Sequence, residues 1–264
     1  MHRTVKNPIF IVGAPRSGTG IFYRTMANHP DLAWISNITK KFPSSLFLTR
    51  IIMLFRDDHR PTEANNVWQK FTSGKDESLG RDDVTPAVRQ FFHRIVRINL
   101  RLFNKPRFLN KCPGNSVRVE FLKEIFPDAR FIHLIRDGRA ASYSIMRSRL
   151  KHSGAYWSVK PPGWQDLMQR PLVEACALQW KMVVEHAMHL IRTRYIVKRG
   201  NIAQYPSTTK IAGHTQVIAL PCGPSITCPY DITRLNEHPA NCVNLLPEIR
   251  RAYKRADFGV CHAP

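Results

Sequence analysis

Short apolar runs alternate, over the first two thirds of the chain, with longer segments in which apolar residues recur at helical spacing. The run at residues 9–12 leads through a loop of small residues into the segment IFYRTMANH. Runs ending near residues 111 and 136 are likewise followed by segments with a helical period. Strands that alternate with helices form parallel sheets with right-handed crossovers. The pattern therefore predicts an α/β fold in which helices flank a central parallel sheet.

The loop after the first predicted strand, GAPRSGTG, has the composition of a phosphate-binding turn. It lies at a helix N-terminus, where free backbone N–H groups and the positive end of the helix dipole favour an anion. Gly13 and Gly18 have the separation of a Walker A loop, but Thr19 follows directly, so the lysine of that motif is absent. The cation of this loop is Arg16. An ordinary ATPase or GTPase is therefore disfavoured.

A second segment, ARFIHLIRDGRAASYSIMRS, combines a predicted strand, a tight turn and a predicted helix. Arg136 ends the strand, and Ser144 lies eight residues later in the helix. A guanidinium can hold a phosphate through two parallel N–H bonds, and a hydroxyl can donate one more. This spacing predicts a second anion subsite.

A third segment, RFLNKCPGNSVRVEFL, has a predicted strand that ends near Lys111, a Pro-Gly turn, and a predicted helix that opens near Asn115 or Ser116. A lysine at a strand end is usually a solvated surface residue. Its place in the order of strand, basic residue, turn and helix makes it a candidate for stabilising negative charge in a reaction.

These three segments together resemble the sulfotransferases that use 3′-phosphoadenosine 5′-phosphosulfate (PAPS). The loop is similar to the G-x-P-R-S-G-T loop of the bacterial type and to that of tyrosylprotein sulfotransferases, and the likeness covers roughly residues 7–196. The resemblance implies a three-layer fold like that of P-loop NTPases. It also implies that the 5′-phosphosulfate is bound by Arg16, Ser17, Gly18, Thr19 and Gly20.

The same resemblance implies that Arg136 and Ser144 clamp the 3′-phosphate of the nucleotide, and that Lys111 shares with Arg16 the stabilisation of the transferred group. The expected reaction moves a sulfuryl group to a hydroxyl or amine acceptor and releases adenosine 3′,5′-bisphosphate, without a metal ion. The alternatives are a non-catalytic relative that only binds the nucleotide and, third, a nucleotide or small-molecule kinase. A chelator distinguishes the kinase from the sulfotransferase, since a kinase depends on Mg²⁺ and would lose its activity.

The general base is not assigned by the resemblance. Tyrosylprotein sulfotransferases carry a catalytic Glu shortly after the first helix, but the stretch Asp31–Thr39 offers no matching residue. Cytosolic sulfotransferases use a His two residues after the Lys, where this chain has Pro113. A base must lie within hydrogen-bond reach of the acceptor, which the sequence alone does not show. The candidates are Asp57, Asp58, His59, Glu63 and His133.

The chain is strongly basic, with 40 Lys and Arg against 19 Asp and Glu in 264 residues, a formal net charge of +21. Residues 88–105 interleave cations with Phe and Ile at helical spacing. Three interpretations stay open: a solvated helix face beside a core stripe, a site for an acidic or sulfated acceptor, or an anionic membrane or nucleic-acid surface. No recognised nucleic-acid motif accompanies the charge.

The organisation is predicted as a domain over residues 1–196, with a helical insertion at about residues 44–104, and an atypical tail over residues 197–264. In the resembled family a strand and a covering helix would follow residue 196, and no such segment is evident. The tail is interpreted either as a divergent addition or as the product of a shifted reading frame. Its irregularly spaced cysteines predict no metal site. We expect a cytoplasmic protein, because no signal-peptide layout or membrane-spanning apolar run is present.

Overall fold

The computed structural model of the chain describes residues 5–41, 43, 45–55, 60–72, 77–192 and 215–219. Its centre is a parallel sheet with the strand order β2-β3-β1-β4-β5, in which β2 is a two-residue edge strand and the other four have four to six residues. The strands are β1 (Ile9–Val12), β2 (Leu32–Ala33), β3 (Arg107–Lys111), β4 (Arg130–Ile135) and β5 (Thr215–Ala219).

Seven α-helices flank this sheet within the described residues. They are α1 (Thr19–Ala27), α2 (Leu46–Phe55), α3 (Asn65–Trp68), α4 (Pro86–Leu102), α5 (Val119–Ile125), α6 (Gly138–Leu150) and α7 (Leu172–Arg192). Two 3₁₀ turns, Pro113–Val117 and Trp164–Gln169, complete the set. The predicted α/β fold with a central parallel sheet is confirmed.

Strand β1 is buried on both faces, which explains why its four residues are all apolar. On one face Phe10 packs against the rings of Trp68, Phe126 and Phe131, with centroid distances of 5.6 to 5.8 Å. On the other face Ile11 belongs to a cluster that includes residues of α1 and β4. The alternation of β1 side chains between two helical layers fixes the register of the strand.

The carboxyl ends of three neighbouring strands meet at one edge of the sheet. Ile11 of β1 pairs in register with Lys111 of β3 on one side and with Ile132 of β4 on the other. The chain leaves β1 toward β2 and leaves β4 toward β5, so the connections diverge between β1 and β4. Such a switch point opens a crevice at the carboxyl ends of the strands, where α/β proteins bind their ligands.

Helix α4 carries the basic segment noted in the sequence. Thr85 caps its N-terminus by accepting from the N–H of Val88, and Pro86 occupies the first helical position. One face is buried, with Phe92, Ile95 and Val96 almost fully inaccessible. Arg89 on another face pairs with Glu124 at 2.7 Å. The geometry matches the interpretation of a polar helix face beside a core stripe.

Two local predictions were wrong in detail. The helix expected to open near Asn115 or Ser116 is preceded by the 3₁₀ turn Pro113–Val117, and α5 begins at Val119. The sheet also has a strand beyond residue 196: β5 pairs in parallel with β4 over five residues. The β-branched residues of TQVIA suit a strand, but a single short run without its pairing partner is a weak signal. The rest of the tail, including its cysteines, lies outside the described residues.

Candidate active site

The loop between β1 and α1 is held against the sheet at Gly13. The hydroxyl of Ser116 accepts from the Gly13 N–H at 2.9 Å and donates to the Gly13 carbonyl at 3.0 Å. A Cβ atom at this position would lie 2.5 Å from the carbonyl oxygen of Leu134 and 3.0 Å from Cγ2 of Thr19. Only glycine therefore allows the loop to approach β4 this closely.

The N-terminus of α1 is not capped by a side chain. Gly18 is its N-cap, with φ of 81°, so no side chain caps the helix, and its first turn contains no carboxylate. The geometry of a helix leaves the first N–H groups without intrahelical acceptors. Ser17 is fully buried, and its Oγ has no hydrogen-bond partner within the described part of the chain. These donors fit an anion such as the predicted phosphosulfate.

The three side chains predicted to surround the nucleotide phosphates come together at the β1–β4 crevice. Nε of Arg16 donates to Oγ of Ser144 at 2.7 Å, and Nη1 of Arg136 donates to the carbonyl oxygen of Arg16 at 3.1 Å. Arg16 has a φ of 66°, in the left-handed region. A backbone strained at this residue holds the guanidinium beside α6, which is the kind of strain found at functional sites.

Asp137 fixes the turn between Arg136 and α6. Its Oδ1 accepts from the N–H groups of Arg139 and Ala140 at 2.8 and 3.2 Å, which caps the helix. Hydrogen bonding from the Arg139 side chain is the main reason why the pKa of Asp137 lies below its ordinary value. The cap orients α6 so that Ser144, in its second turn, faces the loop.

Lys111 lies at the carboxyl end of β3 and is almost fully buried, with 5% of its surface exposed. Its ammonium forms a short ion pair with the carboxylate of Glu63, whose side chain is 40% exposed. A buried ammonium needs a charged partner to offset the loss of hydration. Lys111 therefore has a structural partner and is not a solvated surface residue.

The segment that carries Glu63 is fixed beside the stretch Asp31–Thr39. Ser36 and Pro61 form an antiparallel bridge, and the N–H of Thr62 donates to the carbonyl of Ile35 at 2.9 Å. The carbonyl of Thr62 also accepts from the hydroxyl of Tyr23 at 3.2 Å. Burial, with a further contribution from Glu63, raises the pKa of Tyr23, so the phenol stays protonated and keeps this bond.

The other base candidates have different positions. His133 is fully buried in β4, and neither ring nitrogen has a hydrogen-bond partner among the residues that the structure describes. Burial lowers the pKa of His133 to about 4. A ring enclosed in the core has no access to an acceptor, so His133 is not the base. Asp57, Asp58 and His59 lie outside the described residues.

The sequence predicted Arg16, Arg136, Ser144 and Lys111 as site residues, and the structure brings the first three into contact. It did not predict the pairing of Glu63 with Lys111, which joins residues 48 positions apart. No spacing rule indicates that contact, since it depends on the path of the chain between α2 and α3. Over the described ranges, no group of three or more His, Cys, Asp or Glu side chains could hold a metal ion. Nor does any helix in those ranges have the length and apolar character needed to cross a membrane.

Curated relatives are similar to a little over half of the chain. Protein-tyrosine sulfotransferase 1 of Homo sapiens is 27% identical over 150 residues, which are 55% of this chain and 35% of that protein. Protein-tyrosine sulfotransferase A of Caenorhabditis elegans is 30% identical over 149 residues, 55% of this chain and 34% of that protein. The chain thus matches about a third of the length of these relatives.

Among solved structures, a sulfotransferase from Mycobacterium avium superposes with a TM-score of 0.49 at 16% identity, covering 96% of this chain and 68% of that one. A second, from Mycobacterium tuberculosis H37Rv, gives 0.47 at 13% identity with the same coverage. Both scores lie below 0.5, so the family assignment rests on sequence. The profile described as "Sulfotransferase family" matches residues 8–202, most of the chain and all of the site described above. The chain belongs to the sulfotransferase family.

Proposed function

We propose that the protein transfers a sulfuryl group from PAPS to a hydroxyl or amine acceptor and releases adenosine 3′,5′-bisphosphate. The observation that carries this proposal is the contact of Arg16 with Ser144 and of Arg136 with the Arg16 backbone. Two cations and a hydroxyl from separate segments converge on the N-terminus of α1. A nucleotide with phosphate groups at both its 5′ and 3′ positions matches this arrangement.

In the proposed complex, the 5′-phosphosulfate is held by the backbone N–H groups and side chains of the loop from Arg16 to Gly20. Arg136 and Ser144 hold the 3′-phosphate. The contacts that these groups make with each other are exchanged for contacts with the phosphates, which are stronger because the acceptor is charged. The fully buried Ser17 hydroxyl, without a partner among the described residues, supplies one further donor in the loop.

The transfer is proposed as an in-line displacement. The acceptor oxygen or nitrogen forms a bond to sulfur while the bond from sulfur to the bridging phosphate oxygen breaks, and the electron pair of that bond leaves with adenosine 3′,5′-bisphosphate. Arg16 and Lys111 stabilise the negative charge that develops on the oxygens around sulfur and on the leaving group. Positioning and charge neutralisation by these side chains suffice in this scheme, so we expect no metal requirement.

Glu63 is our candidate for the general base that receives the acceptor proton. It is a partly exposed carboxylate in direct contact with Lys111. It also lies beside the Asp31–Thr39 stretch, through the Ser36–Pro61 bridge, where tyrosylprotein sulfotransferases are expected to carry their Glu. The carboxylate of Glu63, which comes from a later segment of the chain, thus lies near the region where the resemblance predicts a catalytic Glu. During transfer the acceptor gives its proton to Glu63, and Lys111 stays charged.

The proposal is tested by calorimetric titration with adenosine 3′,5′-bisphosphate, with and without EDTA, on the full chain and on Arg136→Ala. We expect binding that EDTA leaves unchanged and that the substitution weakens by about 1.5–3 kcal/mol, the range for hydrogen bonds to charged groups. Arg94→Ala, on the exposed face of α4, is the matched control and should bind like the parent chain.

A well-folded sample that does not bind the bisphosphate contradicts the proposal. Binding that EDTA abolishes indicates a metal-dependent phosphoryl-transfer site instead. Binding without turnover, with any acceptor, leaves the non-catalytic nucleotide binder as the correct description. Release of adenosine 3′,5′-bisphosphate from PAPS in the presence of an acceptor separates that outcome from an active enzyme.

A further inference from the structure

A cavity of about 280 Å³ is lined in part by Glu63. Its volume is near the lower end for small-molecule sites, which run from roughly 300 to 1,000 Å³. The lining side chains that matter here are two carboxylates, two carboxamides and one indole, together with a glycine that leaves room between them: Glu63, Glu77, Asn65, Gln69, Trp157 and Gly114.

The polar side chains of the cavity are held in place by protein contacts. The amide oxygen of Asn65 accepts from the thiol of Cys112 at 3.1 Å. Nε2 of Gln69 donates to Oε1 of Glu77 at 2.9 Å. A carboxamide has both donors and an acceptor, and a carboxylate has two acceptor oxygens, so each side chain keeps bonding capacity after its protein contact is made. The cavity can both donate to and accept from a hydroxyl-rich ligand.

The cations that neutralise the two carboxylates are not among the residues that line the cavity. Glu63 pairs with the buried ammonium of Lys111, and Glu77 lies 3.6 Å from Nη2 of Arg118, which is 1% exposed. A ligand in the cavity therefore meets carboxylate oxygens and no lining Lys or Arg. The lining therefore presents an acidic or sulfated group with two carboxylates and no cationic side chain, which favours a neutral ligand.

The two walls of the cavity are fixed in place by hydrogen bonds. Nε2 of Gln179 in α7 donates to the carbonyls of Trp157 and Val159 at 2.9 and 3.1 Å. The N–H of Glu77 donates to the carbonyl of Lys160 at 3.1 Å, which ties one wall to the other. A preformed cavity loses little conformational entropy when a ligand binds. The site is thus built before an acceptor arrives.

We propose that this cavity is the acceptor subsite and that it takes a neutral, hydroxyl-rich small molecule of about the size of one sugar residue. The less polar face of the ring lies against the indole of Trp157, its hydroxyls bond to Gln69, Asn65 and Glu77, and the reacting hydroxyl meets Glu63. This inference rests on the proposed sulfuryl transfer. It selects one of the acceptor classes that the sequence left open and excludes the acidic one.

The test compares methyl β-D-glucuronamide with methyl β-D-glucuronide, which carry a neutral amide and a carboxylate at the same carbon and the same hydroxyls, with PAPS as donor and the sulfated product detected by mass spectrometry. N-acetylglucosamine, myo-inositol and a tyrosine peptide flanked by Glu complete the panel. We expect sulfation of neutral probes, and a rate at least about 10-fold lower for the glucuronide, as like-charge repulsion requires.

Variants connect the activity with the cavity. Gln69→Ala should raise KM for the neutral probe about 10-fold, the effect of losing one well-made hydrogen bond in a site built for it. Trp157→Ala should raise KM as well, whereas Trp157→Phe, which keeps a flat aromatic face, should restore most of it. Gln90→Ala, an exposed Gln on α4, is the matched control and should leave KM unchanged.

Bisphosphate binding keeps the two proposals apart. If the nucleotide binds and only the glucuronide or the acidic peptide is sulfated, or if no neutral probe is sulfated, the acceptor assignment is overturned while the donor site stands. The same holds if neutral probes react with a KM that Gln69→Ala and Trp157→Ala do not change. If the folded chain does not bind the bisphosphate, the sulfuryl transfer itself fails.

Discussion

The guanidinium Nε of Arg16 lies 2.7 Å from the hydroxyl of Ser144, which is 128 residues away in the sequence. The contact joins the loop proposed for the 5′-phosphosulfate to the helix proposed for the 3′-phosphate. Each of the two side chains therefore orients the other. A substitution in either one should affect binding at both ends of the nucleotide.

Ser144→Ala should weaken adenosine 3′,5′-bisphosphate binding about 10- to 100-fold, because a hydrogen bond to a charged phosphate contributes roughly 1.5–3 kcal/mol. Titration calorimetry measures the change. The matched control is Ser148→Ala, one turn later on α6, where the hydroxyl donates only to the backbone carbonyl of Ser144 at 3.0 Å. Equal affinities for both variants would argue against a phosphate contact at Ser144.

The parts of the site that local patterns encode could be predicted from the sequence. The loop of Arg16 and the strand end of Arg136 each follow a run of apolar residues, and the parallel sheet brings such strand ends to one edge. The pairing of Glu63 with Lys111 could not be predicted, since it depends on how Thr62 is held against Ile35. Strand β5 was missed for the same reason: its partner β4 is distant in sequence.

Glu63→Gln should lower kcat by about 10²- to 10⁴-fold, the usual effect of removing a general base, while bisphosphate affinity stays unchanged. Steady-state rates with a neutral acceptor, together with calorimetry, separate the two quantities. Glutamine keeps the shape and can still accept from Lys111, but it leaves the buried ammonium without a charged partner, so urea unfolding of the variant must show that the fold is retained before the rates are compared.

Glu124→Gln is the matched control for Glu63→Gln. Glu124 pairs with Arg89 at 2.7 Å and its side chain is 43% exposed, close to the 40% of Glu63. An exposed ion pair contributes little to stability, so this variant should keep its rate. A similar loss of kcat in both variants would mean that Glu63 acts through general electrostatics and not as the base.

Gly13→Ala should destabilise the fold by about 1–3 kcal/mol, as overpacking against rigid backbone does, because its Cβ would lie 2.5 Å from the Leu134 carbonyl oxygen. Gly20→Ala, seven residues later, tests the opposite case. Its Cβ would meet no atom closer than 4.0 Å, and alanine favours a helix over glycine by about 0.5–1 kcal/mol. In urea unfolding, the free energy of unfolding should be lower than that of the parent chain for Gly13→Ala and higher for Gly20→Ala.

His133→Leu should reduce the dependence of stability on pH. Burial lowers the pKa of His133 from 6.5 to about 4, so the unfolded chain binds the proton more readily between these values. This contribution to stability is present above pH 6.5 and is lost as the pH falls toward 4, to a total on the order of 3 kcal/mol. Urea unfolding from pH 7 to pH 5 should show a smaller decline in the variant.

The same variant should be as stable as the parent chain at pH 7, or more so, since leucine removes two ring nitrogens that lack partners in the described structure. His152→Ala, at an exposed position, should keep the parental pH dependence. An unchanged decline in His133→Leu would assign the acid sensitivity to other groups.

The 3₁₀ turn Pro113–Val117 connects the two proposed substrate sites. Its first residues, Pro113 and Gly114, line the acceptor cavity, and Ser116 near its other end bonds to Gly13 in the phosphate loop. A ligand that displaces the turn at one site should therefore also shift it at the other site, because the contacts with the two sites lie within three residues of each other in the chain. Binding of donor and acceptor should be thermodynamically coupled, and by reciprocity each should change the affinity of the other by the same factor.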